Sequence, residues 1–209
     1  ATNATAGPID RDRIPATSVT ADIDANAEGA QLTNLVVRTK SSEVRGRASF
    51  TRSSVNVEAR TDGLDVSEIH SRVKSTRLAG NATGEISAER QSVRGTLRQR
   101  DLALDVDATH AKDRVEVKAF ELRAGAGLVQ GKGSLMLTGA QPFEVVASLV
   151  GFDPSALGRF PVASLSGGVE ARGTLQTPRR VDGRFNLERG TYQGYVVEGA
   201  GEVAAEGDR

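Results

Sequence analysis

Apolar and polar residues alternate one by one along most of this chain, and a period of two leaves room for little besides β-strand. Thr17, Val19, Ala21, Ile23, Ala25 and Ala27 fall on one side, while Ser18, Thr20, Asp22, Asp24, Asn26 and Glu28 fall on the other. Successive strand side chains point to opposite faces, so such a run is half-buried with one wet side. Val44, Gly46, Ala48 and Phe50 alternate in the same way with Arg45, Arg47, Ser49 and Thr51. Val55, Val57 and Ala59 alternate with Asn56, Glu58 and Arg60, and Arg52-Ser53-Ser54 reads as the hairpin turn between the two runs. Further strands are expected over 80–88, 93–97, 102–108, 115–119, 129–137, 143–149, 165–175, 181–187 and 197–203. Turn signals about every 8–12 residues predict an antiparallel meander. Ala1 to Pro15, with Gly7, Pro8 and Pro15, reads as a loop leading in.

The pattern is written twice. Leu35, Val37, Val44, Gly46, Ala48 and Phe50 recur as Phe120, Leu122, Val129, Gly131, Gly133 and Leu135, all 85 positions later. After a three-residue insertion, Val55, Val57, Ala59, Gly63, Asp65 and Ser67 recur as Phe143, Val145, Ala147, Gly151, Asp153 and Ser155, 88 positions later. The expected organisation is therefore a lead-in and first strand over 1–29, one β-repeat over 30–115 and a second over 116–209. Self-similarity of this kind predicts an elongated, stacked, all-β architecture. Asp65-Val66-Ser67 and Asp153-Pro154-Ser155 each open with a helix N-cap residue, and Pro154 stands where a missing N–H does no harm. One short helical turn per repeat is expected there.

Composition narrows the function classes. Hydrophobic residues are 38% of the chain and aromatics only 4%, so the side chains available for a core are small, mostly Val, Ala and Leu. Lys plus Arg and Asp plus Glu both number 27, interspersed in every segment, and no basic stripe exists for a nucleic acid. Without Cys there is neither a disulfide framework nor a thiolate metal site. The longest uncharged stretch, Gly133 to Phe143, falls far short of the ~18 residues a spanning helix needs. The chain opens at Ala1 rather than Met and closes just after a fresh strand pattern. A fragment of a longer protein is the expectation, with targeting signals outside it.

Motifs for chemistry fail on spacing. In Gly125 to Ser134 only three residues separate Gly127 from the Gly131-Lys132 pair, and Gly133 follows Lys132, so no phosphate loop is spelled. Gln130 stands where a dinucleotide fingerprint beginning at Gly125 needs Gly. Asp22-Ile23-Asp24 opens like a calcium loop, but Ala27 and Thr33 hold the positions that require Gly and Glu. The carboxylates of the pairs Glu85/Glu89 and Asp105/Asp107 lie on polar faces. His70 is expected just past the first helical turn and His110 on a turn over 109–113, both solvated. No enzyme, cofactor or metal is expected.

Glycine falls repeatedly on the apolar side, at Gly46, Gly80, Gly84, Gly95, Gly131, Gly133, Gly167, Gly173, Gly183, Gly199 and Gly201. Two readings stand: bends and bulges of a strongly curved sheet, or a shallow inner surface that leaves room for something other than protein, such as acyl chains.

The second repeat resembles a known family. Its strand from Phe143 reaches Phe152-Asp153-Pro154, continues through Leu165-Ser166-Gly167 to Gly173-Thr174-Leu175, and closes with Phe185-Asn186-Leu187 and Gly199-Ala200-Gly201. The order of an aromatic-Asx-Pro turn, Leu-x-Gly, Gly-x-Leu and then Phe-x-Leu with Gly-x-Gly is similar to the repeat of the translocation and assembly module inner-membrane subunits, the TamB family of the AsmA-like superfamily. The first repeat departs from it, with Val66 in place of Pro154 and His70 in place of Gly158. The resemblance implies a periplasmic segment of an inner-membrane-anchored protein of a Gram-negative bacterium. It implies a curled, incompletely closed antiparallel sheet, a β-taco, whose apolar groove conducts phospholipid toward the outer membrane. The implied partners are phospholipid acyl chains, an Omp85-class outer-membrane barrel and autotransporter or other outer-membrane protein clients; no catalytic residue comes with it.

A one-sided apolar sheet needs cover for its dry face, and this chain has few helix-forming segments to supply it. The expected groove lining is Val44, Ala48 and Phe50, then Val55 and Val57, Ile86, Leu97, and Leu102, Leu104 and Val106. In the second half it continues with Val129, Leu135 and Leu137, then Phe143, Val145 and Leu149, then Leu165, Val169 and Leu175, then Phe185 and Leu187. The rival reading is an extracellular β-solenoid or adhesin-type module with a packed core. A transmembrane barrel would need aromatic girdles, which two Tyr and no Trp do not provide.

Overall fold

The computed structural model describes residues 1–207, so the last two positions of the second expected repeat lie outside the described residues. About two thirds of the described residues are strand and there is no α-helix among them. The strands are β1 (Ser18–Ala25), β2 (Ala30–Arg38), β3 (Glu43–Phe50), β4 (Ser54–Leu64), β5 (Leu78–Ser87), β6 (Arg90–Gln99) and β7 (Leu102–Ala111). They continue with β8 (Arg114–Ala124), β9 (Gly127–Met136), β10 (Pro142–Phe152), β11 (Ala163–Thr174), β12 (Arg179–Tyr192) and β13 (Tyr195–Gly207). All belong to one antiparallel sheet whose strand order is the sequence order, and it is open because β1 and β13 are not neighbours. The chain divides into two compact units. The first is Ala1–Leu102 with Leu157–Arg159, and the second is Ala103–Ala156 with the described residues from Phe160 onward.

Short polar turns make this meander. In the first hairpin, the Asn26 Oδ1 accepts the N–H groups of Glu28 and Gly29 at 2.9 and 3.1 Å, the side-chain mimicry of a turn that Asn performs well. Thr51 closes the β3–β4 hairpin, its N–H donating to the Ser54 carbonyl at 2.8 Å, where the sequence predicts a turn. Between β12 and β13 only Gln193 and Gly194 intervene, both with positive φ (51° and 83°), the geometry that matches strand twist in a two-residue loop.

The alternation breaks at bulges, and the breaks explain where the expected strands fall short. β2 is expected only through the recurrence of Leu35 and Val37, with no bounds of its own, because Leu32 and Leu35 have opposite parity. The structure resolves this with a register shift between Leu32↔Ala48 and Leu35↔Gly46, Asn34 taking φ 49°. The extra residue returns Leu35 to the side of Leu32. β8 was expected to end at Ala119, but a shift between Val117↔Gly133 and Phe120↔Gly131 carries it on to Ala124. These two bulges stand 85 positions apart. Another pair, in β4 between Thr61 and Leu64 and in β10 between Leu149 and Phe152, stands 88 apart.

Just after each of the latter bulges comes a single turn of 3-10 helix, Val66–Glu68 and Pro154–Ala156. Asp65 Oδ1 accepts the Ser67 N–H at 2.9 Å, and Asp153 Oδ1 accepts the Ser155 N–H at 2.9 Å. Both carboxylates also reach across their loops. Asp65 accepts the Thr76 N–H at 3.1 Å, and Asp153 accepts the Ala163 N–H at 3.1 Å.

Several dry-face glycines seat aromatic rings. Phe120 pairs with Gly131, Phe143 with Gly173 and Phe185 with Gly201 across neighbouring strands. A Cβ at Gly131 would stand 2.7 Å from the Phe120 ring, at Gly173 3.0 Å from the Phe143 ring, and at Gly201 2.8 Å from the Phe185 ring. The ring lies over bare backbone, filling a strand position that has no side chain of its own. Gly151, with φ 54° inside the β10 bulge, fits the reading of glycine as a bend. Gly199 has nothing within 4 Å of where its Cβ would be, so its slot is open.

Candidate functional site

Register partners share a face of the sheet, so the ladders show which of the expected lining residues are brought together. In the first unit one row runs Phe50↔Val55↔Ile86 and the next Ala48↔Val57↔Gly84↔Val93. A third runs Val44↔Thr61↔Gly80↔Leu97. The polar member of that row, Thr61, is buried and satisfied, its Oγ1 donating to the Glu43 carbonyl at 2.9 Å. In the second unit the rows are Leu135↔Phe143↔Gly173↔Val181, Gly133↔Val145↔Ala171↔Gly183, and Ala147↔Val169↔Phe185↔Gly201. Another runs Val129↔Leu149↔Gly167↔Leu187, and the β10 bulge keeps Leu165 on the same side by pairing it with Phe152. Leu102, Leu104 and Val106 share one face of β7. Leu137 and Leu175 stand one residue beyond the ends of β9 and β11.

This face is dry without being deeply buried. Among the described residues no large side chain is fully buried; the apolar core is Ala48, Leu78, Ala124, Val129 and Ala163. Val44, Val55, Val57, Leu97, Leu135, Phe143, Leu149, Val169, Phe185 and Leu187 are half-buried, whereas Ile86 and Val145 remain 42% and 38% exposed. Phe120, Leu122 and Phe152 belong to the same surface, although the alternation did not select them, because a bulge precedes each. Leu78, the largest of these core residues, sits beyond the β4 bulge as the partner of Leu64.

The wet face carries charges in register. Arg38 meets Glu43 at 2.9 Å across β2–β3, Arg47 meets Glu58 at 2.7 Å across β3–β4, and Arg184 meets Glu202 at 2.8 Å across β12–β13. The Arg45 hydrogen bond, with Arg38 adding to it, holds the Glu43 carboxyl below its usual range. Recesses open on this side. In the first unit one of about 1220 Å³ lies among Arg45, Arg60, Asp62, Arg77 and Arg100, and another of about 710 Å³ lies among Leu35, Val36, Arg47, Glu58, Ala59 and Ala82, with largely apolar walls. In the second unit one of about 300 Å³ lies among Glu144, Arg172, Asp182 and Arg184.

Chemistry-bearing groups do not converge. No group of three or more His, Cys, Asp or Glu is placed to hold a metal among the described residues. His70 is exposed just past the first 3-10 turn, as expected. His110 is not on a turn: it lies in β7, on the side of Leu104 and Val106, and its Nε2 is buried without a hydrogen-bond partner. The strand runs on to Ala111 and the turn is displaced to Lys112, which takes φ 52°. Asp10 ties the lead-in to the loop after the first 3-10 turn, accepting the Ser71 hydroxyl at 2.5 Å and its N–H at 2.9 Å, and these bonds lower its pKa. No helix among the described residues is long and apolar enough to cross a membrane. Known protein families, curated proteins and solved structures contain no match to this chain.

Proposed function

We propose that this chain is a non-catalytic segment of a periplasmic bridge of the TamB type, conducting phospholipid between inner and outer membranes along its apolar face. In this reading it belongs to an inner-membrane-anchored protein of a Gram-negative bacterium. An Omp85-class barrel is its outer-membrane partner and outer-membrane proteins are among its clients. The observation that carries the reading is that each unit has an apolar side whose large side chains are half-buried or exposed rather than enclosed. Hydrocarbon laid over the first-unit rows leaves the Thr61 hydroxyl paired, since it is satisfied within the protein. A packed adhesin core is disfavoured by the same observation.

The architecture proposed with it is a curled, elongated open sheet, a β-taco of two tandem copies of six strands and a helical turn. Bulges and 3-10 turns recurring at the offsets of the sequence repeat support it. In this arrangement β1 lies in the lead-in, β2 to β7 fall in the copy at 30–115, and β9 to β13 with most of β8 fall in the copy from 116 onward.

The test compares dry-face and wet-face charges. Val145→Asp and Leu135→Arg are expected to lower phospholipid retained by the purified chain, read by native mass spectrometry, about tenfold, the equivalent of ~1.4 kcal/mol. Glu144→Lys, one residue from Val145 but on the wet side, is expected to leave it unchanged. Equal losses from both kinds of variant at equal folding, or no lipid on the parent chain, would remove the proposal.

A further inference from the structure

We propose that the large recess of the first unit is a binding site for a phosphate-bearing ligand, held by the guanidinium groups of Arg45, Arg60, Arg77 and Arg100. The site lies on the charged side of one unit and stands whether or not the dry face carries lipid.

Cross-strand partners on the wet face set unlike charges opposite one another, as in Arg38↔Glu43, Arg47↔Glu58, Glu144↔Arg172 and Arg184↔Glu202. Arg45 departs from this by standing opposite Arg60. Like charges directly opposite destabilise a strand pair, and an anion lying between the two would offset that.

Both arginines line the recess of about 1220 Å³, where Arg77 and Arg100 join them. The carboxylates of the lining are already engaged. Glu43 is shared by Arg38 at 2.9 Å and Arg45 at 2.6 Å, and Asp65 accepts from Ser67, Ser75 and Thr76. Asp62 meets Arg60 at 3.2 Å with both side chains more than three quarters exposed, a kind of pair that contributes little. Neither Arg77 nor Arg100 has an ion pair among the described residues.

Arg77 is positioned by its neighbours. Its N–H donates to Gln99 Oε1 at 2.6 Å, tying the start of β5 to the end of β6. Its side chain crosses Gly63, where a Cβ would stand 3.2 Å from Arg77 Cγ and 3.4 Å from its Nε. Gly151, 88 positions on, answers to a φ of 54°, whereas the bare backbone at Gly63 makes room for Arg77.

The strands themselves do not need these cations. β3 and β4 meet as Arg45↔Arg60, and at the offsets of the sequence repeat β9 and β10 meet as Gln130↔Ser148. Leu78 pairs with Leu64 beyond the β4 bulge as Leu165 pairs with Phe152 beyond the β10 bulge, and Ser164 precedes Leu165 where Arg77 precedes Leu78.

No aromatic or large apolar side chain lines the recess to stack on a base or a sugar, so the charged group is what is recognised. Guanidinium forks bind phosphate oxygens two at a time, and several of them together suit a multiply charged phosphate better than a single carboxylate.

The experiment titrates the whole chain with pyrophosphate by calorimetry at physiological ionic strength, and binding is expected. Arg77→Gln and Arg100→Gln should each weaken it about tenfold, the scale of one charge-assisted hydrogen bond. Arg123→Gln, in the second unit and paired with Glu121, should leave it unchanged. Arg60→Gln removes the like-charge opposition, so it should weaken binding without lowering the urea midpoint. Phosphatidylcholine vesicles containing phosphatidic acid identify the source of the phosphate. Capture of the chain, reversed by pyrophosphate, means a lipid headgroup; pyrophosphate binding without capture means a soluble phosphate, and either result supports the site. No binding of pyrophosphate, equal losses from Arg77→Gln and Arg123→Gln, or a lower midpoint with intact binding in Arg60→Gln would each overturn the proposal.

Discussion

Asp65 does several things at once. Its carboxylate accepts from Ser67 N–H at 2.9 Å, Ser67 Oγ at 2.7 Å, Ser75 Oγ at 2.7 Å and Thr76 N–H at 3.1 Å, tying the 3-10 turn to the strand that follows. Burial works against its charge, but the bonds from Ser75, Ser67 and Thr76 together prevail and its pKa lies below the ordinary Asp value. The sign follows. A carboxyl whose pKa falls on folding contributes stability above its unfolded pKa, and that contribution is lost as pH drops through the lower, folded value. Asp65→Asn keeps an acceptor but removes the charge, and is expected to destabilise the first unit by about 1 kcal/mol at neutral pH, the difference between hydrogen bonds to charged and to neutral groups. In urea titrations the gap between variant and parent should close below about pH 4. A gap constant across acid pH would show that the charge plays no part.

At the scale of an element, β2 depends on one backbone irregularity. Asn34 takes φ 49° and donates to Asp22 Oδ2 at 2.7 Å, and this bulge lets Leu32 and Leu35 lie on the same face despite opposite parity. Asn is among the few residues that adopt this region readily. Asn34→Val is expected to lose about 1–3 kcal/mol through strain. Asn34→Gly removes only the exposed hydrogen bond and should lose less than about 1 kcal/mol. Chemical unfolding of both variants decides it; equal losses would place the weight on the hydrogen bond rather than on the backbone. Strict alternation cannot register such a bulge, which is why the bounds of β2 and the second half of β8 were not legible while β3, β4 and β9 were.

For the molecule as a whole, the sheet's strand order is its sequence order, so its backbone pairing is between neighbours along the chain. Stability then approximates a sum of strand and nearest-neighbour terms, as in repeat proteins, rather than the property of one enclosed core. Leu78, 2% exposed, is the one large residue in the core of the first unit. Leu78→Ala is expected to lose about 2–5 kcal/mol, the range for a buried Leu. Hydrogen exchange should show the loss over β4, β5 and β6 while β10, β11 and β12 keep their protection. Uniform loss across all strands would mean that the chain folds as a single cooperative body.

Sequence alone determined the all-β class, the faces and most hairpins, because a period of two assigns every side chain to a side before any contact is made. It also singled out Asp65 and Asp153, each of which accepts the N–H of the Ser two residues on. Only the tertiary structure decided that Phe rings seat over the glycines of the next strand, that His110 belongs to β7, and that recesses open on the charged side. Those outcomes depend on which residue of one strand stands opposite which residue of another. That register is set by bulges and by packing between strands, quantities that no single strand carries in its own sequence.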